Sequence, residues 1–406
     1  MPRPARGTGR GDRHKRPLGG VNCNMGFGRV MDPTAPSDGI LMTMHRLSQG
    51  GADRVGILLA NSFVRAGIPT RLALLRSGGE GERVLLDSLD REVSISCAGR
   101  PMGSRHLELV RGLRFIQREI ASFKPSIVLA SSSNMGLITG ISARLQTGRG
   151  PRYAMKLTNP VVRPRDHGSL RTAYRHRLYG FIFASYDLVI TLTEEELSDL
   201  SSIYRDGPFQ TVPNPYISDE MLAEQPPPLR SEPPRILTMA RMMPQKRLDV
   251  LIEAFALVKH SGARLTILGD GPLRASLERL ADSLGIAGRI DMPGFVEDVL
   301  PWLRRSNLFV LSSDYEGLPA AALEALACGV PVVTTDSFAG ARAMFDAEES
   351  CAVVPIGNPA ALARSIERCI GAKRRPDGLR KIAARYGIEA SAAAHLAALE
   401  SLMEAR

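Results

Sequence analysis

The sequence predicts an α/β protein of two domains, each built on a parallel β-sheet, that face each other across a central cleft. Short apolar runs alternate with amphipathic stretches along the 406 residues, and a proline-rich break divides this alternation into two series. A chain of this length exceeds one ordinary hydrophobic core, so two domains are expected. Repeated strand–helix alternation implies right-handed crossovers and a sheet covered by helices on both faces.

The N-terminal domain is expected at residues 39–218. Its predicted buried strands are the apolar runs at 40–44, 71–75, 126–130, 153–157 and 188–191. After the first run, Val55, Leu58, Leu59 and Phe63 have the spacing of one helix face. Helical patterns fill most of the other gaps, as a parallel sheet requires.

The break at residues 219–234 is the predicted linker. It contains the run Gln225-Pro-Pro-Pro-Leu-Arg-Ser-Glu-Pro-Pro234, which can continue neither a helix nor a central strand. The C-terminal domain follows at residues 235–406, with predicted strands at 235–239, 264–268, 308–311 and 330–334. We expect the alanine-rich end, about 378–405, to be a terminal helix that braces the N-terminal domain.

The composition is that of a soluble globular protein, with 44% hydrophobic and 23% charged residues. No apolar run approaches the roughly 20 residues that span a bilayer, and the basic start lacks the apolar core of a secretory signal. Five scattered cysteines without C-x-x-C spacing argue against a disulfide framework and against structural zinc. A cytoplasmic protein without a metal site is therefore expected.

The net charge of +10 is concentrated in part in residues 1–38, which carry seven Lys or Arg residues against three Asp. This segment is rich in Gly and Pro and lacks periodicity, so we predict a disordered basic tail; a mis-assigned start codon explains it equally well. No nucleic-acid partner is expected, because neither a binding motif nor an aromatic stacking pattern accompanies the charge.

The most informative stretch runs from Ser312 to Pro331. A strand ends before it, a polar loop with Gly317 follows, and a helix is predicted from about Pro319, since proline suits the first helical turn. Unpaired backbone N–H groups at such a helix start suit a diphosphate. Glu316 and Glu324 could accept hydrogen bonds from sugar and ribose hydroxyls. Spacing alone leaves a structural interpretation equally open, with Glu316 as a cap and Glu324 as a half-buried helix residue.

This stretch resembles the E-x7-E signature of the family 4 retaining glycosyltransferases (glycosyl transferases group 1). That family has the GT-B fold, in which two Rossmann-like parallel-sheet domains face a central cleft. Other segments resemble the family in the same order, over nearly the whole chain from about Gly39. They are Gly50-Gly-Ala-Asp-Arg54, Pro213-Asn-Pro215, Ala240-Arg-Met-Met-Pro-Gln-Lys-Arg-Leu-Asp249, Leu268-Gly-Asp-Gly-Pro272, Met292-Pro-Gly-Phe-Val296 and Gly329-Val-Pro-Val-Val-Thr-Thr-Asp336.

The resemblance implies a donor site in the C-terminal domain. Arg241, Lys246 and Glu316 form the implied catalytic set: the two cations hold the diphosphate and stabilise the charge of the departing nucleotide, and Glu316 contacts the donor sugar. Glu324 would hold the ribose. The remaining donor-binding residues implied are Gly50, Gly51, Gly271, Phe295, Gly317 and Leu318. Glycine has a physical reason to face a diphosphate, because backbone approaches phosphate closely only without a Cβ.

One feature of the family is missing. Many relatives carry a histidine at the end of a central N-domain strand, beside the donor sugar, and here Lys156 or Asn159 occupies the comparable place. His167, in the following loop, is the nearest candidate, and His45 near the first strand is another. We therefore place Lys156, Asn159 and His167 on the acceptor side and assign no catalytic histidine.

The function implied is retaining transfer of a hexose-type sugar from a UDP- or GDP-linked donor to a hydroxyl of a glycan, lipid-linked or polysaccharide acceptor. No cofactor and no metal are expected. A GT-B sugar-nucleotide epimerase and a non-catalytic sugar-nucleotide-binding or assembly protein stay open as alternatives. A dinucleotide-dependent dehydrogenase is excluded, because no G-x-G-x-x-G follows the first strand.

Two basic stretches bear on membrane contact. Arg111, Arg114 and Arg118 have i, i+3, i+7 spacing on a predicted helix, and five further arginines between residues 163 and 177 precede an aromatic run. Basic amphipathic segments bind anionic headgroups. Attachment to the inner face of the cell membrane and an ordinary solvated surface are equally compatible with this pattern.

Overall fold

The computed structural model describes residues 39–404 apart from 49, 79–81, 101–103, 149, 163–169, 224–232, 261, 347 and 374. The predicted basic tail, His167 and most of the proline-rich break lie outside the described residues. No helix in the described part of the chain is both long and apolar enough to cross a membrane.

The N-terminal half forms a parallel sheet whose described strands have the order β3-β2-β1-β4-β5-β6-β7. The strands are β1 Ile40–Met44, β2 Thr70–Leu74, β3 Ser94–Cys97, β4 Ile127–Ala130, β5 Arg152–Lys156, β6 Leu188–Thr191 and β7 Phe209–Thr211. The helices are α1 Gly51–Arg65, α2 Glu82–Asp87, α3 Arg105–Phe123, α4 Gly136–Arg144, α5 Leu170–Phe183 and α6 Glu194–Ile203. Alternate residues of β4 enter apolar clusters on opposite faces of the sheet, so helices cover both faces.

The C-terminal half forms a second parallel sheet, of order β10-β9-β8-β11-β12-β13 in the described residues. Its strands are β8 Arg235–Met239, β9 Arg264–Leu268, β10 Ile290–Gly294, β11 Leu308–Leu311, β12 Val332–Thr335 and β13 Ala352–Val354. The helices from the predicted linker onward are α7 Asp219–Ala223, α8 Leu248–Leu257, α9 Arg274–Ser283, α10 Leu300–Arg304, α11 Ala320–Ala327, α12 Ala341–Phe345, α13 Pro359–Gly371, α14 Pro376–Ala384 and α15 Ile388–Glu404.

The predicted fold class is confirmed, and the strands that the sequence did not predict share one property. All nine predicted strands are present, five of them with the predicted ends and four with ends shifted by one or two residues. The four additional strands, β3, β7, β10 and β13, are the two edges of each sheet. β3 and β7 are short and half-exposed, β13 has only three residues, and β10 contains Pro293 and Gly294 beside a register irregularity. They therefore lack the continuous apolar run that marks a central strand.

The alanine-rich end consists of two helices rather than one. The chain bends at Tyr386, whose carbonyl accepts hydrogen bonds from the backbone N–H groups of Tyr216 and Ile217, both at 3.0 Å. Helix α15 then runs back over the N-terminal half and packs on α1 and β5. The hydroxyl of Ser391 in this helix donates to the carbonyl of Pro213. Helix α15 is thus part of the helical layer that covers the N-terminal sheet.

A polar cluster lies in the interior beneath α15. Lys156 of β5 has no exposed surface, and its Nζ lies 2.8 Å from Nε2 of His395. The other ring nitrogen of His395 lies 2.7 Å from the carbonyl oxygen of Ser391 and donates to it, so Nε2 accepts from Lys156. Burial lowers the pKa of Lys156 to about 7, opposed by the charge of Glu196, and burial raises the pKa of Glu196 to about 7. Lys156 therefore anchors α15 and does not line the cleft.

Replacing Glu196 tests this cluster. Because its pKa rises from 4.5 to about 7 on folding, the native state binds more protons than the unfolded state between these values. Native stability should fall as the pH rises through that window. In urea unfolding, the free energy of unfolding of Glu196→Gln should therefore rise relative to that of the native chain as the pH increases from about 5 to about 7. Glu194→Gln, at an exposed position of the same helix, should follow the native chain; a pH-independent difference for Glu196→Gln would contradict the titration.

A candidate donor site between the two sheets

The loop between β11 and α11 is held from two sides, which fixes the Glu316 carboxylate. The N–H of Glu316 donates to the carbonyl of Ser337 at 2.8 Å, and the Ser313 hydroxyl donates to Glu316 Oε1 at 2.5 Å. On the other side, the Gln245 side chain donates to the carbonyl of Tyr315 at 2.6 Å. The loop therefore presents Glu316, which is only 8% exposed, in one defined position.

Lys246 is the cation that faces Glu316. Its Nζ donates to Glu316 Oε1 at 2.6 Å. Lys246 ends a short 3-10 turn, Pro244–Lys246, that follows β8, and the next residue, Arg247, has the left-handed φ of 47°. Arg247 is held in this conformation by ion pairs with Asp249 and Asp314, and the Lys246 carbonyl accepts from the Ser312 hydroxyl at 2.8 Å. The turn is thus tied to the same loop as Glu316.

Glu324 pairs with a cation from the other half of the chain. It lies in the first turns of α11, is 5% exposed, and its Oε1 accepts a hydrogen bond of 2.6 Å from Arg54 Nη1 in α1. Burial raises the pKa of Glu324, and the guanidinium of Arg54 opposes that rise. The E-x7-E segment therefore carries two nearly buried carboxylates, each bound to its own cation.

The start of α1 forms the N-terminal wall of the cleft. Gly50 is the N-cap of this helix and Gly51 its first residue, and a Cβ added at Gly51 would meet no atom within 4 Å. The Asp53 carboxylate accepts from the backbone N–H of Ser48 at 2.9 Å and from its hydroxyl at 2.6 Å, which ties down the preceding loop. Burial raises the pKa of Asp53, while the nearby charges of Arg46 and Arg241 oppose the rise. Arg241 is itself exposed, and the effect of its charge on Asp53 places it near the start of α1.

The two halves touch at Gly317. A Cβ at this position would lie 2.5 Å from the carbonyl oxygen of Thr158 and 3.1 Å from Leu192 Cδ1, so the contact requires glycine. Asn159, one residue beyond Thr158, is half-buried at the same junction. The carbonyl of Leu318 accepts from the hydroxyl of buried Tyr216 at 3.2 Å. Within the described residues, no acceptor is found for the N–H groups of Gly317 and Leu318, which leaves these two donors for a ligand.

The remaining predicted residues lie at the edge of this site or away from it. A Cβ at Gly271 would lie 2.6 Å from the carbonyl oxygen of Met242, so this glycine lets the turn after β9 pack on the segment that carries Arg241. Phe295 follows β10 and is 53% exposed. Lys156 belongs to the interior cluster instead of the acceptor side, because its side chain is enclosed by α15.

Several residues of the site were not predicted from sequence. Ser313 and Gln245 orient the loop between β11 and α11, and a polar residue three positions before Glu316 was the one local signal for them. Arg54 was noted only as a residue of the glycine loop, and its partner lies 270 positions away. Ser48 and Asp53 hold the loop before α1. No group of three or more His, Cys, Asp or Glu residues that could hold a metal ion occurs in the described part of the chain.

Comparisons with known proteins agree with this geometry. Residues 221–387 match the family model of the glycosyl transferases group 1, and residues 50–215 match that of the glycosyl transferase 4-like domain. An uncharacterized glycosyltransferase of Methanocaldococcus jannaschii, MJ1059, is 28% identical over 56% of this chain and 59% of its own length. LpsE of Rhizobium meliloti, a lipopolysaccharide core biosynthesis glycosyltransferase, is 37% identical over 34% of this chain and 40% of its own length. The chain thus spans about half the length of these relatives.

Solved structures share the whole fold at low identity. Sucrose-phosphate synthase from Thermosynechococcus elongatus superposes with a TM-score of 0.74 at 18% identity, over 90% of this chain and 99% of its own. HepE of Anabaena, solved with UDP and glucose, superposes with a TM-score of 0.70 at 17% identity, over 89% and 99%. These likenesses establish the two-domain architecture.

The Arg54–Glu324 ion pair gives a test of how the halves are joined. Arg54→Gln leaves the Glu324 carboxylate buried without its cation, and we expect a loss of about 1–3 kcal/mol in the free energy of unfolding, less than for a fully buried pair because the Arg54 side chain is 51% exposed. Arg65→Gln, on the exposed end of the same helix, should change it by less than about 0.5 kcal/mol. Equal effects of the two substitutions in urea unfolding would rule out a special role for the pair.

Proposed function

The chain belongs to the group 1 glycosyltransferases of GT-B fold, and from this premise we propose that it transfers a sugar from a nucleotide diphosphate donor to a hydroxyl of a cell-envelope glycan. The observation that carries the proposal is a pair of nearly buried carboxylates at the cleft, of which Glu316 is bound to Lys246 and Glu324 is bound to Arg54 in the first turn of α1. The expected nucleotide sugar acts as co-substrate, and no further cofactor is proposed.

The donor's diphosphate fits between the cations and the start of α1. The first N–H groups of a helix carry partial positive charge, and α1 has 15 residues. Lys246 acts as a point charge and Arg241 as a bidentate donor. Together they stabilise the charge that develops on the departing nucleotide, which is a large catalytic effect. Glu324 accepts from the ribose hydroxyls, and Glu316 orients a hydroxyl of the donor sugar.

We further propose retention of anomeric configuration by front-face displacement. The bond from the anomeric carbon to the phosphate oxygen breaks as the acceptor oxygen bonds to that carbon, and the acceptor proton passes to the departing phosphate oxygen. Glu316 is not the nucleophile in this scheme, because Lys246 and Ser313 hold its Oε1 as a binding group. The charge compensation that a metal ion would supply comes from Arg241 and Lys246, so transfer is proposed to be metal-independent.

The acceptor would bind at the carboxyl edge of the N-terminal sheet. Polar groups gather there: Arg76 bonds Glu108, and half-buried His45 lies beside them. Burial and the charges of Arg76 and Arg46 lower the pKa of His45, which keeps its imidazole neutral near pH 7. Asn159 flanks the donor loop. The named role of LpsE in lipopolysaccharide core biosynthesis supports a polysaccharide or lipid-linked acceptor.

The proposal is tested by donor binding and turnover in matched variants. Among UDP-, GDP-, ADP- and TDP-sugars, one nucleotide class should raise the melting temperature of the native chain, and Glu324→Gln should lose this response. Lys246→Ala should lower the transfer rate by about 10²–10³-fold, as expected for removal of a preorganised charge. Lys259→Ala, an exposed lysine of the same domain, serves as the control. No response to any donor by folded protein would refute the proposal, and donor binding without turnover would favour the non-catalytic sugar-nucleotide-binding alternative.

The transfer assay also tests the stereochemistry of the reaction and its dependence on metal ions. The product's anomeric configuration, read by NMR, should match that of the donor, and an inverted product would end the front-face scheme. Chelation by EDTA should leave the rate unchanged; a requirement for Mn²⁺ would refute metal independence.

We also propose that α3 faces an anionic membrane. Leu107 and Val110 are 55% and 49% exposed, and Arg114 and Arg118 continue the same line along the helix. Apolar and basic side chains in this order suit a headgroup boundary. Co-sedimentation with phosphatidylglycerol vesicles should weaken several-fold in the Leu107→Gln, Val110→Gln double variant. Ile203→Gln, at a 40% exposed position outside α3, should bind like the native chain, and equal binding by all three would exclude this face.

A further inference from the structure

A second cavity, of about 430 Å³, lies at the opposite end of the C-terminal sheet from the donor site. Its lining includes the side chains of Arg235, Arg264, Arg289, Arg305, Asp291 and Trp302. Arg235 begins β8 and Arg264 begins β9, so the cavity sits at the amino ends of strands whose carboxyl ends face the cleft. Five residues of strand, about 17 Å, separate the two edges.

Three of the arginines form a row across neighbouring strands. Arg235 pairs in register with Arg264. Ile290 pairs with Leu265, which places Arg289 beside Arg264 at the next strand. Residues in register on adjacent strands point to the same face of a sheet, and like charges side by side destabilise it. The row therefore gains stability from an anion.

These charges are not neutralised by neighbouring carboxylates. Within the described residues, Arg235, Arg264 and Arg305 take part in no ion pair, and Asp291 is the single acidic side chain of the lining. Arg289 is held in place: its guanidinium lies 4.7 Å from the centroid of the Phe255 ring, and it donates to the carbonyl of His260 at 3.4 Å. The lining thus carries a net charge of three positive units.

The segment that follows Arg305 is hydrogen-bonded to the start of β8. The Asn307 side chain accepts from the N–H of Arg235 at 2.9 Å, and the Asn307 N–H donates to the Arg235 carbonyl at 2.7 Å. One turn earlier, Trp302 of α10 presents a half-buried indole to the cavity. The exposed or half-buried charges of the arginine row, the exposed charge of Asp291 and the half-buried indole of Trp302 therefore line one cavity.

We propose that this cavity binds a phosphorylated sugar. The arginine row takes the phosphate, for which guanidinium groups are the preferred donors. The volume falls in the range of small-molecule sites and exceeds the space that a bare phosphate fills. Trp302 offers a face for the sugar ring, and Asp291 accepts from its hydroxyls. The phosphate can belong to a free sugar phosphate or to the headgroup of a lipid, and the site is independent of the proposed transfer.

Calorimetric titration of the full chain with glucose 1-phosphate tests the proposal. The native chain should bind it, and Arg264→Gln and Arg235→Gln should each weaken binding at least about tenfold, the effect of one charge-assisted hydrogen bond. Arg279→Gln, an exposed arginine of the same domain outside the cavity, should bind like the native chain. Lys246→Ala should also bind normally, which separates this cavity from the donor cleft and from failure of the proposed transfer.

Binding that persists in both cavity variants, or that disappears in Lys246→Ala, would overturn the proposal. Inorganic phosphate should bind more weakly than glucose 1-phosphate. Equal affinities would show that the cavity recognises the phosphate alone and not the sugar. Phosphatidylinositol vesicles, tested in the Leu107→Gln, Val110→Gln background to remove binding through α3, identify the source, because this headgroup carries its phosphate on a six-membered polyol ring. Vesicle binding that is lost in Arg264→Gln assigns the phosphate to a lipid headgroup, and vesicle binding unaffected by this substitution assigns it to a soluble ligand.

Discussion

Two carboxylates that are almost removed from water, Glu316 and Glu324, determine how the cleft of this protein is built. A buried charge is tolerated only with a partner of opposite sign, and each carboxylate has one within 2.6 Å. Lys246 comes from the turn after β8 and Arg54 from the other half of the chain. Satisfying Glu324 therefore requires the two sheets to face each other at contact distance, and Gly317 permits that contact because it has no Cβ to strike Thr158.

The sequence was informative where burial or close backbone approach leaves no choice of residue. Central strands needed continuous apolar runs, and every one was predicted; edge strands such as β3 and β10 did not need them and were missed. Glu316, Glu324 and Lys246 were identified through the order of motifs along the chain, and the structure brings all three to one cleft. The family assignment is confirmed by the matched models of both halves.

Contacts between residues that lie far apart along the chain could not be predicted from the sequence. Nothing local connects Lys156 with His395, which lie 239 positions apart, or Arg54 with Glu324. Lys156 was placed on the acceptor side because it occupies the position of a familiar histidine. Its side chain points instead into the interior, where His395 from the last helix accepts its hydrogen bond. A residue at the end of a strand can point to either face of the sheet. Only the packing of α15 determines which of the two faces stays accessible to the cleft.

The return of α15 to the N-terminal sheet has a consequence for biosynthesis. A ribosome that has just made Lys156 must add another 239 residues before His395 exists, which at about 5–20 residues per second takes roughly 10–50 s. Throughout that interval the nascent N-terminal half exposes the apolar surface that α15 later covers, including the faces of α1 and β5. Vectorial folding, in which each domain closes as it emerges, is therefore unavailable to this half. Its completion waits until α15 has been synthesised, and the nascent chain is a natural client for chaperones until then.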